Sequence, residues 1–255
     1  MRAIRLNRQV LEVKPSKNYA EVLLFGDFHL GSPQCDKERA QSNLDYCLKN
    51  GVYVFLMGDL IENAGRHSIG AAVYEQEDIA QTQYERIVEM LKPLANAGLI
   101  LGSLTGNHED RTYKECGVDV MALLCRELKI PYLGWAGWSR FLVGRQSYTM
   151  YALHGSSGAK FVYTKLKSLV DISHSFACDL LAMGHVHDCA DASQLVQVVD
   201  PRSKTVVERK KFVVITGHYL AYQGGYAQAK GLPLSKLGSP KVKFFSDHHD
   251  IHVSW

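Results

Sequence analysis

The sequence predicts an α/β fold in which two β-sheets pack together with helices outside. Three observations carry that expectation. As far as Lys129, apolar runs of strand length alternate with segments of helical period, which predicts right-handed crossovers and a largely parallel sheet. Beyond that point short β-like runs take over, enough for a second sheet. Polar clusters stand just after the apolar runs, at the strand ends where α/β proteins bind ligands.

The elements follow in order. Val22-Leu23-Leu24-Phe25 reads as a buried strand, followed at once by Gly26-Asp27-Phe28-His29-Leu30-Gly31. Lys37 to Lys49 has helical period through Ala40, Leu44, Tyr46, Cys47 and Leu48. Val52 to Met57 is the second buried strand and ends in Gly58-Asp59. One long helix from Val73 to Ala95 gathers Ile79, Tyr84, Ile87, Val88 and Leu91 on one face and stops near Pro93 and Gly98. Leu99 to Thr105 is the third strand and delivers Gly106-Asn107-His108-Glu109 into a loop. Val118 to Lys129 is the next helix. Tyr132-Leu133, Phe141 to Val143 and Ser147 to Leu153 read as β, the last ending in His154-Gly155. A helix carrying Lys160, Lys165 and Lys167 comes next, and Leu180 to Met183 leads into Gly184-His185-Val186-His187. Strands near Gln194–Val199, Thr205–Ile215 and Val242–Phe245 complete the set.

The 255 residues suffice for one sizeable core, and residues 1–255 read as a single domain. Hydrophobic content of 46% and charged content of 22% place the chain among globular proteins rather than disordered ones. The net charge of +3 is unevenly spread: from Pro201 onward nine lysines and arginines face three carboxylates, against twenty and twenty-three before it. A metal site would make the body acidic, and a basic segment over about 201–255 could meet a polyanion or form a solvated surface. The six cysteines, Cys35, Cys47, Cys116, Cys125, Cys178 and Cys189, are scattered without a Cys-x-x-Cys pair, which predicts free thiols in a reducing compartment. Met1 to Lys14 has no apolar leader core and no run approaches 18 apolar residues, so a cytoplasmic protein without a membrane partner is expected. Oligomeric state does not follow.

Five polar clusters stand at the C-terminal ends of apolar strands: Asp27/His29, Asp59, Asn107/His108, His154 and His185/His187. One alone reads as a turn. Five are difficult to explain as turns, and adjacent strand ends lie about 5 Å apart, so these side chains can converge on one cleft. Carboxylates, imidazoles and an amide suit two divalent cations such as Mn²⁺, Fe, Zn²⁺ or Mg²⁺. Asp27 and His29 are two residues apart, as are His185 and His187, so extended backbone would point each pair one way. Gly26, Gly58 and Gly184 would remove bulk where backbone approaches the ions. Asp59, alone between the pairs, is the natural bridging ligand. Two such ions would clamp a phosphate, bring a shared water to a pKa near about 7 and stabilise in-line attack.

The same residues resemble the calcineurin-like metallophosphoesterase superfamily. Its motifs Asp-x-His, Gly-Asp, Gly-Asn-His-Asp/Glu, His-Gly and Gly-His-x-His occur complete and in order from Asp27 to His187. The resemblance implies a four-layer αββα sandwich of two mixed β-sheets flanked by helices. It implies that Asp27, His29 and His187 hold the first metal, that Asn107, His154 and His185 hold the second, and that Asp59 bridges. His108 would lie near the leaving-group oxygen as general acid or electrostatic stabiliser, so that His108, Asn107 and Asp59 carry the chemistry. Mn²⁺ is the expected ion, with Fe, Zn²⁺, Mg²⁺, Ni²⁺ or Co²⁺ as alternatives.

The substrate is less legible. The motif text looks closest to the branch of DNA-repair nucleases and nucleotide or lipid-precursor pyrophosphohydrolases. After Gly58-Asp59 the chain lacks the Asp-Arg-Gly of protein phosphatases, carrying Ile61-Glu62-Asn63-Ala64-Gly65 instead, although Arg66 or Arg111 could still reach phosphate. Glu109, where Asp is commoner among the nucleases, counts slightly against that branch. Lys160, Lys165 and Lys167 could sit at the cleft rim, and Trp135, Trp138, Tyr132 and Tyr148 could stack bases or fill the core. Tyr219 to Lys243, with Tyr226 and several glycines, could be a substrate-facing lid or a plain surface loop. Asp247 to His252 has metal-like composition but reads as an edge strand, and His218 reads as structural or as bordering the cleft. The expectation is a phosphodiesterase acting on a nucleic acid or nucleotide diester, most of all a DNA or RNA nuclease, with Lys160, Arg111 and Tyr226 as substrate contacts. The alternatives are a small-molecule phosphomonoesterase or pyrophosphohydrolase, and a metal-bound scaffold without activity.

Overall fold

The computed structural model describes residues 6–14, 16–66, 68, 72–200 and 203–255. Residues 1–5 of the N-terminal stretch and Pro201, where the basic segment begins, lie outside them. In chain order the elements are β1 (Asn7–Leu11), β2 (Tyr19–Phe25), α1 (Lys37–Asn50), β3 (Tyr53–Leu56), α2 (Ala72–Glu75), α3 (Ala80–Asn96), β4 (Ile100–Ser103), α4 (Asn107–Cys116) and α5 (Val120–Leu128). Then come β5 (Ala136–Val143), β6 (Gln146–Leu153), α6 (Val162–Ser173), β7 (Leu180–Met183), β8 (Cys189–Asp200), β9 (Thr205–Thr216), α7 (Tyr226–Ala229), β10 (Lys241–Phe245) and β11 (Ile251–Ser254).

They form two mixed sheets. One has six strands in the order β1-β5-β6-β7-β9-β8, and the other has five in the order β11-β10-β2-β3-β4. The central strands read as continuous apolar runs because each is covered on both faces. Along β2, Val22 and Leu24 enter the core between the sheets, whereas Leu23 and Phe25 enter the core that also holds Ala40 and Leu44 of α1, Leu91 of α3 and Leu124 of α5. Along β7, Leu180 and Ala182 face the inter-sheet core, whereas Leu181 and Met183 pack with Leu169 of α6. Helix, sheet, sheet, helix: the αββα sandwich is observed. Strands β2, β3 and β4 are mutually parallel, as are β6, β7 and β9, so each trio presents its C-terminal ends together.

Several expectations are corrected. The long helix over Val73 to Ala95 is two helices, α2 and α3, with Gln76 between them. Both polar atoms of the Gln76 side chain bond the backbone of Ala64, and Gln83 Oε1 accepts from Asn63 N at 2.8 Å. This tie to the loop after β3 interrupts the helix. Pro93 lies inside the last turn of α3 instead of ending it. Gly106-Asn107-His108-Glu109 is not a loop but the start of α4, with Gly106 as its N-cap. Tyr132 makes one bridge to Ser103 and no strand. Strand β1 is hidden in a polar stretch because it is a half-exposed edge strand, pairing only with β5. The edge strand β11 begins at Ile251, and Asp247 to Asp250 form the bend before it, so His248 and Asp250 share no strand face with His252. All six cysteines are free. No helix among the described residues is long and apolar enough to cross a membrane.

Candidate metal centre

The five polar clusters lie after β2, β3, β4, β6 and β7, so both sheets supply side chains to one place. Asp27 of the first loop and His187 of the last meet there, with His187 Nε2 3.3 Å from Asp27 Oδ1 and 3.1 Å from His29 Nε2. Asp59 Oδ2 lies 3.2 Å from His154 Nε2 and 3.8 Å from His29 Nε2, between the two groups of ligands. His154 Nε2 also faces Asn107 Oδ1 at 3.1 Å. Asp27, His29 and His187 form one set of ligand atoms within 4.8 Å of one another, and Asp59, His154 and His185 form another. The structure thus brings together all seven residues expected to hold metal.

The loops that carry them are not extended. Asp27, His29, Asp59, His185 and His187 all have φ between 48° and 68°, the left-handed region. Asp and His tolerate this region better than most residues, at a cost of about 1–2 kcal/mol each. Strain of this kind at five ligand positions marks a site whose surroundings over-determine it. The glycines serve the same packing. A Cβ on Gly184 would stand 2.9 Å from Asp27 Oδ2, one on Gly106 2.0 Å from Asp59 Oδ1, and one on Gly26 2.6 Å from Met57 Cβ. They clear room for neighbouring loops and ligand side chains rather than for ions directly.

The residues present fit metal ions. His154 Nδ1 donates to the Met57 carbonyl at 2.8 Å, which leaves Nε2 as a lone pair aimed at two oxygens that are themselves acceptors. Three converging acceptors need a proton or a cation between them. Burial alone would push the His154 imidazole down, yet Asp59 and Asp27 raise it to about 10, the mark of a ring that faces concentrated negative charge. His185 Nδ1 is buried with no hydrogen-bond partner, while its backbone N–H donates to both oxygens of Asp27 at 3.0 and 2.9 Å. Asp27 and Asp59 are fully buried, which pushes their carboxyls up, but the imidazoles around them outweigh burial and hold both below the usual range. They are anions in the interior, as ligands must be.

Two carboxylates complete the site, and the sequence alone assigns a role to neither. Glu109 is buried and accepts from Asp59 N at 3.0 Å, Leu60 N at 2.7 Å, Ile61 N at 3.3 Å and Gly106 N at 2.9 Å. It fastens the loop of Asp59 to the start of α4, where a shorter Asp side chain would fall short. Glu62 lies with Oε2 3.2 Å from His29 Nδ1 and Oε1 3.5 Å from His108 Nδ1 and 3.3 Å from Arg111 Nη1. Burial pushes the Glu62 carboxyl up, but His29, His108 and Arg111 outweigh it and bring it down to about 2. Its position three residues after Asp59, on the same loop, is the one signal the sequence offers. His29, Glu62 and His108 form a third ligand-like set, which Arg111 fills with positive charge.

His108 Nδ1 lies 2.7 Å from the Glu62 carbonyl, which only accepts, so Nδ1 carries the proton. Arg111 Nη2 then donates to Nε2 at 3.0 Å. Burial first, with the charges of His29 and Arg111 adding to it, lowers His108 to about 4 despite Asp59 and Glu62. The ring beside the cluster is neutral, and the fixed positive charge belongs to Arg111.

The αββα sandwich and the ordered set of polar residues at its strand ends are the features that the resemblance to the calcineurin-like metallophosphoesterases implied. No protein-family model and no curated protein matches the chain. Among solved structures, this chain is similar to a predicted phosphoesterase from Streptococcus pneumoniae at 10% identity, covering 93% of this chain and 90% of that one, TM-score 0.41. It is similar to the phosphoesterase Yfce from E. coli at 15% identity, covering 92% and 98%, TM-score 0.42. It is also similar to a zinc complex of Vps29 from Entamoeba histolytica at 13% identity, covering 92% and 97%, TM-score 0.37. Likenesses of this degree assign neither activity nor partner.

The expected substrate residues fare differently. Arg111 stands in the site. Lys160 is exposed and precedes α6, so it does not belong to a lysine face of that helix. Lys165 is buried and bonds Asp188 at 2.6 Å and the Val186 carbonyl, whereas exposed Lys167 pairs with Asp171 at 2.7 Å. Tyr226 is 64% exposed on α7, in the loop after Tyr219. Tyr148 and Trp138 are packing residues, the first fully buried and the second set against Tyr151 and Phe176. Trp135 is 46% exposed, with its ring 6.4 Å from that of His154, and its carbonyl accepts from His154 N. His218 borders the cluster, its ring stacked on His187 at 5.2 Å.

Proposed function

We propose that this chain is a metal-dependent phosphodiesterase acting on a nucleic acid or nucleotide diester, with Asp27, His29 and His187 holding one divalent ion, Asn107, His154 and His185 the other, and Asp59 both. One observation carries the reading: acceptor atoms from five strand ends face one another around Asp59 with His154 fixed by the Met57 carbonyl. Bound divalent ions would supply positive charge to a phosphate and acidify a water beside it.

The protein's own groups then have distinct tasks. Asn107 and Asp59 are oriented by the start of α4, where His108 N donates to Asp59 Oδ1 at 2.9 Å. The Glu62 carbonyl holds the His108 ring, and Arg111 presents a fixed cation to Nε2. With its one proton kept on Nδ1 by the Glu62 carbonyl, His108 holds the Arg111 fork through Nε2, and that fork would meet the substrate phosphate and stabilise the charge that develops on the leaving-group oxygen. Trp135 offers an exposed ring beside His154 on which a base can stack.

A small-molecule monoester or pyrophosphate remains the second reading, favoured by one observation: Lys165 and Lys167 are engaged with Asp188 and Asp171 and form no track for a polyanion. Hydrolysis of bis(para-nitrophenyl) phosphate, para-nitrophenyl phosphate and a 5′-labelled single-stranded oligonucleotide by Mn²⁺-loaded protein separates the two. The diester and the oligonucleotide are expected to be cleaved, with Asp59→Asn, His108→Ala and Arg111→Ala each slowing turnover by roughly a hundredfold or more while circular dichroism is unchanged. Preference for the monoester would establish the second reading. Full turnover in all three variants would dismiss both.

A further inference from the structure

A cavity of about 360 Å³ opens on the helix side of the five-stranded sheet, between α1, β10 and the loop that precedes β10. None of the residues of the metal cluster lines it. Its volume is that of a small-molecule site. Arg39, Lys236 and Lys241 contribute three cations to its wall, and no Asp or Glu side chain lines it among the described residues. Outside the wall, Asp36 accepts from Arg39 Nε at 2.9 Å, which leaves the Nη edge of the guanidinium fork for another acceptor. Lys241 Nζ sits 4.6 Å from the centre of the Tyr46 ring, a cation–π contact that holds the ammonium without neutralising it. Lys236 is exposed and makes no ion pair among the described residues.

The rest of the wall is aromatic, neutral-polar and, at Leu23, Cys47 and Leu237, apolar. Tyr46 and Trp255 supply two rings, the indole N–H of Trp255 being fixed to Asp191 Oδ1 at 3.0 Å. Asn43, also in the wall, donates to the Tyr219 hydroxyl at 2.8 Å. Two lysines without an ion pair among the described residues, an arginine with its Nη edge open and two aromatic rings suit an anion that carries a ring. Arg and Lys meet the phosphate, and Trp or Tyr stacks the ring. We propose that this cavity is a second ligand site, separate from the metal centre, for a phosphorylated, ring-bearing small molecule of the nucleoside monophosphate class. The assignment does not depend on what the metal centre hydrolyses.

Isothermal titration of the Mn²⁺-loaded full chain with adenosine monophosphate tests it, beside inorganic phosphate and adenosine. The Asp59→Asn variant serves as a background whose metal centre is disabled. One-to-one binding of the nucleotide is expected in both the unaltered and the Asp59→Asn protein, with phosphate and adenosine each binding about tenfold weaker or worse. Lys241→Glu and Lys236→Glu, placed in the Asp59→Asn background, are expected to weaken it by about tenfold or more, the order of a lost charge-assisted hydrogen bond. Lys236→Glu alters an exposed side chain and keeps the test open if Lys241→Glu fails to fold. The proposal falls if millimolar nucleotide gives no binding, or if binding disappears in Asp59→Asn, which would assign it to the metal centre. It falls equally if binding survives both charge reversals, or if phosphate binds as tightly as the nucleotide.

Discussion

The two sheets hold their shares of the candidate metal cluster by different means. On the five-stranded side, Asp59 and Asn107 depend on one buried carboxylate, since Glu109 takes four backbone amides from the loop after β3 and the turn before α4. On the six-stranded side no single residue gathers four backbone groups among the described contacts, although buried Lys165 bonds the Val186 carbonyl between His185 and His187 and pairs with Asp188. His154 is held by the Met57 carbonyl and through its own N–H by the Trp135 carbonyl, His185 by the Asp27 carboxylate, and His187 by the stacked ring of His218. One half concentrates its support in a single buried group, and the other divides it among several separate contacts, charged and neutral. The physical consequence is unequal sensitivity. Removing a buried acceptor leaves several amides unsatisfied at once, whereas removing one of several separate contacts leaves the others in place.

The largest effect is therefore expected from Glu109→Ala. It strands the amides of Asp59, Leu60 and Gly106 and should cost about 3 kcal/mol or more in urea unfolding, together with a ten- to hundredfold loss of metal affinity, roughly the range for residues that orient ligands. A loss below about 1 kcal/mol would break the comparison.

Acid sharpens it next. The Glu62 carboxyl has a native value of about 2 against an ordinary 4.5, so its stabilisation is complete above about 4.5 and disappears as pH falls through about 2. Metal-free protein is expected to lose up to about 3 kcal/mol over that window, and Glu62→Gln to flatten the loss. An unaltered acid profile in Glu62→Gln would remove Glu62 from the support of His29 and His108.

The smallest effect is expected on the other side. His218→Ala removes a ring stacked on His187 and should cost about 1 kcal/mol, with metal affinity reduced only a few-fold, as measured by competition with a chelating dye. Losses as large as those of Glu109→Ala would show that His218 concentrates the support of its half in the same way.

The strand-end pattern of this site is legible in the amino-acid sequence because its rules are local. A β-strand buried on both faces must be apolar throughout, so β2, β3, β4 and β7 stand out, and polar residues directly after them must lie at a sheet end. Asp27, His29, Asp59, Asn107, His185 and His187 follow from that logic, while His154 follows the alternating strand β6. Helix α1 is legible through its period. What is not legible depends on contacts between segments far apart in the chain. The break between α2 and α3 comes from Gln76 and Gln83 bonding the loop after β3, and no propensity along that stretch records those bonds. Lys160, Lys165 and Lys167 look alike in one dimension, yet Asp188 takes Lys165 into the interior.

The sequence by itself determined two packed sheets with helices outside, the parallel run of strands in its first half and the polar clusters at the strand ends, because hydrophobic period and residue chemistry are properties of neighbouring positions. Only the tertiary structure decided the left-handed backbone at five ligands, the anchoring by Glu109 and the pairing of His108 with Glu62 and Arg111. Those features exist only once distant loops meet, where a buried carboxylate must find amides and a neutral imidazole must choose which nitrogen keeps its proton.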